Sequence, residues 1–255
     1  MSDFSIGAAA EAAREVARHL GLGEVDSAPW RVSEHVTLRL PSADAVARIK
    51  PVAAEAAMRL EIDVVAHLAA KGAPVVPLLS GPHVERGFAM SFWHWVPHRP
   101  ADPENESHRR IALVTLRQVH EALADYPGAM PSLWDKVEQC RRLLREAPMP
   151  GLEDADRRFL LEIAARFAKL DGEAVPLHGD AGFHNLFITG DGGLWTDFEA
   201  ACRGPLGWDA AALGLGVDPF LSRLRSFCVA VWCWNFGNNP EKREAAEYHL
   251  DHLRR

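Results

Sequence analysis

Apolar and polar residues alternate from Val36 to Leu40, with Val36, Leu38 and Leu40 set against Thr37 and Arg39, the period of a half-buried strand. The pattern extends back to Val32, and Pro41-Ser42-Ala43-Asp44 predicts a turn into a partner strand over residues 45–50, ended by Pro51. An Ala-rich helical stretch over residues 8–20 precedes this ribbon and stops at Gly21-Leu22-Gly23. A second helix is predicted from about residue 52 to 71, closing at Gly72. Two more strands, residues 74–80 and 87–93, are expected to join through Gly81-Pro82-His83.

Beyond Pro97 the period changes. A polar, Pro-rich passage over residues 97–106 leads into helical spacing at 111–123, 133–144 and 154–170, with breaks at Tyr126-Pro127-Gly128 and 147–151. A boundary near Pro97 divides the chain into 1–97, a small antiparallel sheet with helices, and 98–255, mostly helical: an α+β protein. One hairpin interrupts the helical part. Leu186-Phe187-Ile188-Thr189 and Leu194-Trp195-Thr196 flank Gly190-Asp191-Gly192-Gly193, which reads as a four-residue turn. That turn sets Thr189 opposite Leu194, Phe187 opposite Thr196 and Leu186 opposite Asp197, with Asn185 beside Asp197 at the open end. Residues 241–255 read as a charged closing helix.

Composition narrows the choice of partner. A chain of 255 residues, 48% hydrophobic and 25% charged, suits a globular protein with a real core. The net charge of −7 argues against nucleic acid and draws cationic small molecules. Cys140, Cys202, Cys228 and Cys233 are scattered and form no C-x-x-C, so neither a zinc cage nor a disulfide framework is expected, and a reducing cytoplasm is. No apolar run approaches the ~20 residues of a membrane span, and the N-terminus lacks a signal pattern.

Candidate chemistry is concentrated in residues 177–199, LHGDAGFHNLFITGDGGLWTDFE. Asn185 and Asp197 form an amide and carboxylate pair able to share a hard cation, and Asp180 opens at the same end of the hairpin. Phosphoryl transfer needs such a set: Mg²⁺ on nucleotide phosphates, and a separate carboxylate that orients the attacking hydroxyl. On the predicted 52–71 helix, Glu61 shares an apolar stripe with Met58, Val65 and Leu68 and needs a partner. Arg48 and Lys50, two apart on a strand, point to one face and can supply it. Glu55, four residues before Arg59, reads instead as a solvated pair.

The 177–199 segment resembles the aminoglycoside phosphotransferase and choline kinase family, whose catalytic loop reads H-G-D-x-x-x-x-N and is followed by a hairpin and an Asp. The resemblance implies a two-lobed protein-kinase-like fold, a small antiparallel-sheet N-lobe and a larger, mostly helical C-lobe. It makes Asp180 the catalytic base, Asn185 and Asp197 the Mg²⁺ ligands, and His178 a scaffold for the loop. Asp209, an acid in a helix's first turn, becomes the support that holds the catalytic loop through its backbone, and Glu199 falls where the family often has an acid. Arg48, with Lys50 as second choice, would steady the nucleotide phosphates, paired to Glu61. Residues 92–95, Trp93 and Trp95 included, would lend backbone groups to the adenine edge. One departure is that Arg31-Val32-Ser33-Glu34-His35 holds no glycine, so phosphate contact there falls to Ser33 or to backbone N–H groups.

The implied reaction moves the γ-phosphoryl group of ATP or GTP, with Mg²⁺, to a hydroxyl of a small molecule. The resemblance leaves the acceptor open among aminoglycosides, other antibiotics, choline-like amines, sugars and amino-acid alcohols, with the acceptor pocket in the C-terminal helices around Asp218, Phe227, Trp232, Trp234 and Phe236. The rival from another class is a kinase-shaped binding module without catalysis, supported by the missing glycine turn. A metal-dependent hydrolase built on His178, Asp180 and His184 has no H-E-x-x-H behind it, and a serine hydrolase has no G-x-S-x-G.

Overall fold

The structure, a computed structural model, describes residues 5–25, 29–32, 35–170, 172–215, 218–236 and 239–255. By packing it forms two compact units, one of Met1–Gly128 with Phe183–Ala201 and one of Ala129–Gly182 with Cys202–Arg255.

The first unit opens with helix α1 (Ile6–His19), then strands β1 (Arg31–Val32), β2 (Val36–Leu40) and β3 (Ala45–Pro51). Helix α2 (Glu55–Ala70), strands β4 (Leu78–Glu85), β5 (Phe88–His94) and β6 (Arg99–Pro100), and helix α3 (Glu106–Leu123) follow. The chain then enters the second unit with α4 (Leu133–Glu146), α5 (Asp154–Arg166) and β7 (Val175–Leu177) and returns to the first for β8 (Leu186–Thr189) and β9 (Gly192–Trp195). It ends in the second with β10 (Cys202–Gly204), α6 (Gly207–Ala212), α7 (Pro219–Asn235) and α8 (Pro240–Arg254). Packing thus groups α3 and the β8–β9 hairpin with the sheet, across the chain boundary read at Pro97.

Five strands make an antiparallel sheet in the order β1-β2-β3-β5-β4. The two-residue side-chain period of β3 sorts its residues by chemistry. Ala45, Ala47 and Ile49 join Leu38, Met90 and Phe92 in a core sealed by the alanine face of α1. Arg48 and Lys50 consequently face the other way, toward α2. Ser5 caps α1 by accepting the Ala8 N–H at 3.3 Å, which fixes where that helix starts.

Two expected turns fall elsewhere. The β4–β5 hairpin turns at Arg86-Gly87, both at positive φ (49° and 82°), and not at Gly81-Pro82-His83. Gly81 and Pro82 lie within β4, where the pairing register shifts. The sheet tolerates the proline there because β4 is an edge strand with no neighbour to receive the missing N–H. The β8–β9 hairpin turns on Gly190-Asp191 alone, pairing Thr189 with Gly192, Phe187 with Leu194 and Leu186 with Trp195. Thr189 fastens this tighter turn by accepting the Asp191 N–H at 3.2 Å and donating to the Gly192 carbonyl at 3.3 Å.

The hairpin is pinned to α3. Trp195 is fully buried, and its indole N–H donates to Thr115 Oγ1 at 3.0 Å. Gly193 lies so near α3 that a Cβ would stand 2.6 Å from Ile111 Cγ2.

In the second unit, α4, α5, α7 and α8 enclose a core that includes Leu144, Leu160, Phe227, Val231, Trp234 and Leu250. Phe227 and Trp234, expected to shape an acceptor pocket, are core residues, and Asp218 caps α7 by accepting the Phe220 and Leu221 N–H groups. All four cysteines are buried free thiols. Among the described residues no helix is long and apolar enough to cross a membrane.

Candidate active site

The acid in the apolar stripe of α2 and the bases of β3 meet as the side-chain periods require. Arg48 is 8% exposed and Glu61 3%. Arg48 donates through Nη1 to Glu61 Oε1 at 2.7 Å and through Nη2 to Asp197 Oδ1 at 2.9 Å, so one guanidinium joins β3, α2 and the segment after β9. Lys50 makes a parallel ion pair with Glu199. It is therefore a buried, paired cation.

Asp197 sits in a left-handed conformation, φ 67° and ψ 57°, uncommon for a residue with a side chain. With Leu186 opposite Trp195, Asn185 comes opposite Thr196, whose N–H donates to the Asn185 carbonyl at 3.0 Å, and Asp197 follows one position on. The shorter turn therefore corrects the expected register by two positions while keeping Asn185 and Asp197 at the same end of the ribbon. Asn185 is buried.

Three carboxylates and two cations share this cluster, and they titrate unequally. Burial raises Asp197, but Arg48, His35 and Lys50 outweigh it and hold the carboxyl at about 2. Burial dominates at Glu61 and pushes it up to about 7, against the attraction of Arg48. Glu199 is also raised, by burial first and then by Asp197. Burial alone would lower Arg48, yet Glu61, Asp197 and Glu199 together lift it above its usual value.

One oxygen from each of Glu61, Asp197 and Glu199 lies within 4.8 Å of the others. A hard divalent cation fits this donor set, because the oxygens are carboxylates and fully ionised acids would outnumber bases by one. Glu199 thereby joins Asn185 and Asp197 as a residue able to hold a cation.

In the second unit, β7 and β10 pair with Leu177 opposite Cys202, and the H-G-D loop leaves the end of β7. Asp209, fully buried on α6, accepts the His178 N–H at Oδ2 and the Gly179 N–H at Oδ1, each at 2.9 Å. Trp208 completes the grip by donating its indole N–H to the Gly179 carbonyl at 2.9 Å. Gly179 has φ 85°, which explains the glycine between His178 and Asp180. His178 Nδ1 accepts the Asp180 N–H at 3.3 Å, and Asp180 Oδ1 accepts from Arg225 Nη2 at 2.6 Å. Arg225 on α7 was not anticipated.

Other expected residues fare differently. Ser33 lies outside the described residues. Trp93 is buried, its indole N–H donates to Ser91 Oγ at 2.8 Å, and its ring packs 5.9 Å from the Arg48 guanidinium, so its side chain walls in the ion pair. Trp95 carries Arg39 over its ring at 3.8 Å, and its N–H donates to the Asp44 carbonyl at 2.7 Å. The His94 N–H donates to Pro77. These backbone donors are thus already engaged within the unit.

The profile of the phosphotransferase enzyme family matches residues 30–248, and the chain belongs to that family of small-molecule kinases, which phosphorylate hydroxyl groups. Kinases of this family use ATP with a divalent metal. No curated protein sequence matches the chain.

Solved structures share the fold at low identity. A thermostable mutant of aminoglycoside phosphotransferase APH(4)-Ia, in a ternary complex with ADP and hygromycin B, is 13% identical, with a TM-score of 0.64 over 94% of this chain and 96% of that one. Amicoumacin kinase hAmiN, in complex with AMP-PNP, Ca²⁺ and Ami, is 10% identical, with a TM-score of 0.67 over 94% and 92%. Choline kinase LicA from Streptococcus pneumoniae is 14% identical, with a TM-score of 0.66 over 95% and 98%.

Proposed function

We propose that this chain transfers the γ-phosphoryl group of ATP, in the presence of Mg²⁺, to a hydroxyl of a small molecule, with Asp180 as the general base. The observation that supports this reading is Arg48, whose guanidinium joins the buried Glu61 to Asp197. In this reading Arg48 contacts the nucleotide phosphates, and Asn185 and Asp197, with Glu199 beside them, hold the divalent cation. When bound, that cation supplies neutralisation of charge on the phosphates. Asp180 accepts a hydrogen bond from the acceptor hydroxyl. The O–H bond breaks as the new O–P bond forms, its proton passes to the Asp180 carboxylate, and the bond to the β-phosphate oxygen breaks to release ADP. Positioning and charge supply most of the rate.

ATP is preferred here over GTP because ATP is the family's nucleotide. The cytoplasm is the proposed compartment, in keeping with the free thiols. The test is transfer of label from γ-labelled ATP to an aminoglycoside, choline, a hexose and homoserine, by the native chain and by Asp180→Asn. The reading predicts transfer to one of these classes, and a loss of more than ~100-fold in the variant with nucleotide affinity nearly kept. Equal turnover in Asp180→Asn would refute the role of Asp180. Tight MgATP binding without transfer to any acceptor would favour a binding module.

A further inference from the structure

Arg225 is hard to explain by packing. It lies on α7 between Leu224 and Ser226, is 7% exposed, and stands with its guanidinium carbon 5.6 Å from the Trp208 ring. One terminal nitrogen, Nη2, donates to Asp180 Oδ1 at 2.6 Å. The other, Nη1, is buried with no hydrogen-bond partner among the described residues. Desolvating a guanidinium is repaid in stability only when its fork of donors is filled, and here it is not. A cation kept at that cost, on an acid read as the catalytic base, points to a task other than holding the fold.

We infer that Arg225 is a positioning residue for Asp180, fixing the carboxylate through Oδ1 and balancing its charge. The inference rests on the phosphotransferase reading above. Its physical content is twofold. A short charge-assisted hydrogen bond restricts the rotation of the carboxylate, which sets the direction of Oδ2, the oxygen that takes the acceptor's proton. The guanidinium also offsets a negative charge that would otherwise repel the γ-phosphate during transfer. Arg225 itself neither gains nor loses a proton.

Other charged groups of the second unit near this pair have partners of their own. His178 engages the Asp180 backbone, and Asp209 is committed to two backbone N–H groups of the loop. His249 on α8 hydrogen-bonds to Ser226 Oγ at 3.2 Å and is held neutral, its pKa lowered to about 4 by burial, then by Arg225 and His252. Arg225 reaches the Asp180 carboxylate from α7, within the same unit.

The experiment compares the native chain, Arg225→Met and Arg225→Lys by thermal unfolding, by calorimetric affinity for MgATP, and by hydrolysis of MgATP with water as the acceptor. The expected result is an Arg225→Met chain that melts within a few degrees of the native one and binds MgATP equally well. It hydrolyses MgATP at least ~10-fold more slowly, as a misdirected base should, and Arg225→Lys recovers part of the loss. An Arg225→Met chain that melts far lower or fails to fold overturns the inference, because Arg225 is then a fold residue. Hydrolysis at the native rate in Arg225→Met overturns it as well. Failure of the underlying reading looks different: neither the native chain nor the variants would take up MgATP, and both proposals would fall together.

Discussion

Removing Arg48 would strip the buried Glu61 and the half-buried Asp197 of a shared counter-charge. Arg48→Met should therefore destabilise the chain by about 3–5 kcal/mol, the usual cost of stranding a buried ion, and a urea titration would show it. A loss under 1 kcal/mol would mean that Glu61 and Asp197 find other partners. Asp209 makes the same point with neutral donors. Asp209→Ala leaves the His178 and Gly179 N–H groups buried and unpaired, at about 1–3 kcal/mol each, whereas Asp209→Asn keeps one acceptor and should lose roughly half as much. Equal losses in the two variants would contradict this account of the loop. The Arg48–Glu61 pair was legible because a carboxylate in an apolar stripe must find a cation, and the strand period placed one nearby. The same logic applies to Arg225, a charge among Leu224, Phe227 and Cys228. The Lys50 pair was not legible because its partner Glu199 is far away in sequence.

At the level of elements, the β2–β3 ribbon and its turn were legible, whereas the next hairpin lies later than expected, its first strand at Leu78–Glu85 and not at 74–80. Gly81-Pro82 looks like punctuation, yet an edge strand accommodates it and Arg86-Gly87 turns the chain. Gly192-Gly193 looks like part of a turn, yet both glycines are paired in β9. Gly193 is there for close packing, with Ile111 of α3 against it. Gly193→Ala should push the hairpin off α3 and cost about 1–3 kcal/mol, measurable as a lowered urea midpoint with unchanged slope. A neutral effect would show that the contact is slack. The packing of α8 on α7 carries a pH signature. His249 is held at about 4 against an ordinary 6.5, so its contribution to stability is present above pH 6.5 and is lost as the pH falls toward 4, where the unfolded chain binds the proton first. His249→Gln should flatten the fall in melting temperature over that range, and parallel curves for the two chains would contradict the assignment.

For the whole molecule, the family assignment and the charge cluster make one joint claim. The chain carries a net charge of −7, and its candidate cation site holds one more acid than base when all are ionised, so nucleotide phosphates should bind well only with a divalent cation. Where nucleotide binds the folded state alone, a hundredfold excess over Kd should stabilise the chain by about 2.7 kcal/mol. The most direct measurement is a calorimetric titration of ATP into the native chain and into Asp197→Ala, each with and without Mg²⁺. The account predicts binding to the native chain that requires Mg²⁺ and is lost in Asp197→Ala. Binding that ignores both the metal and Asp197, or no binding at all, would contradict it.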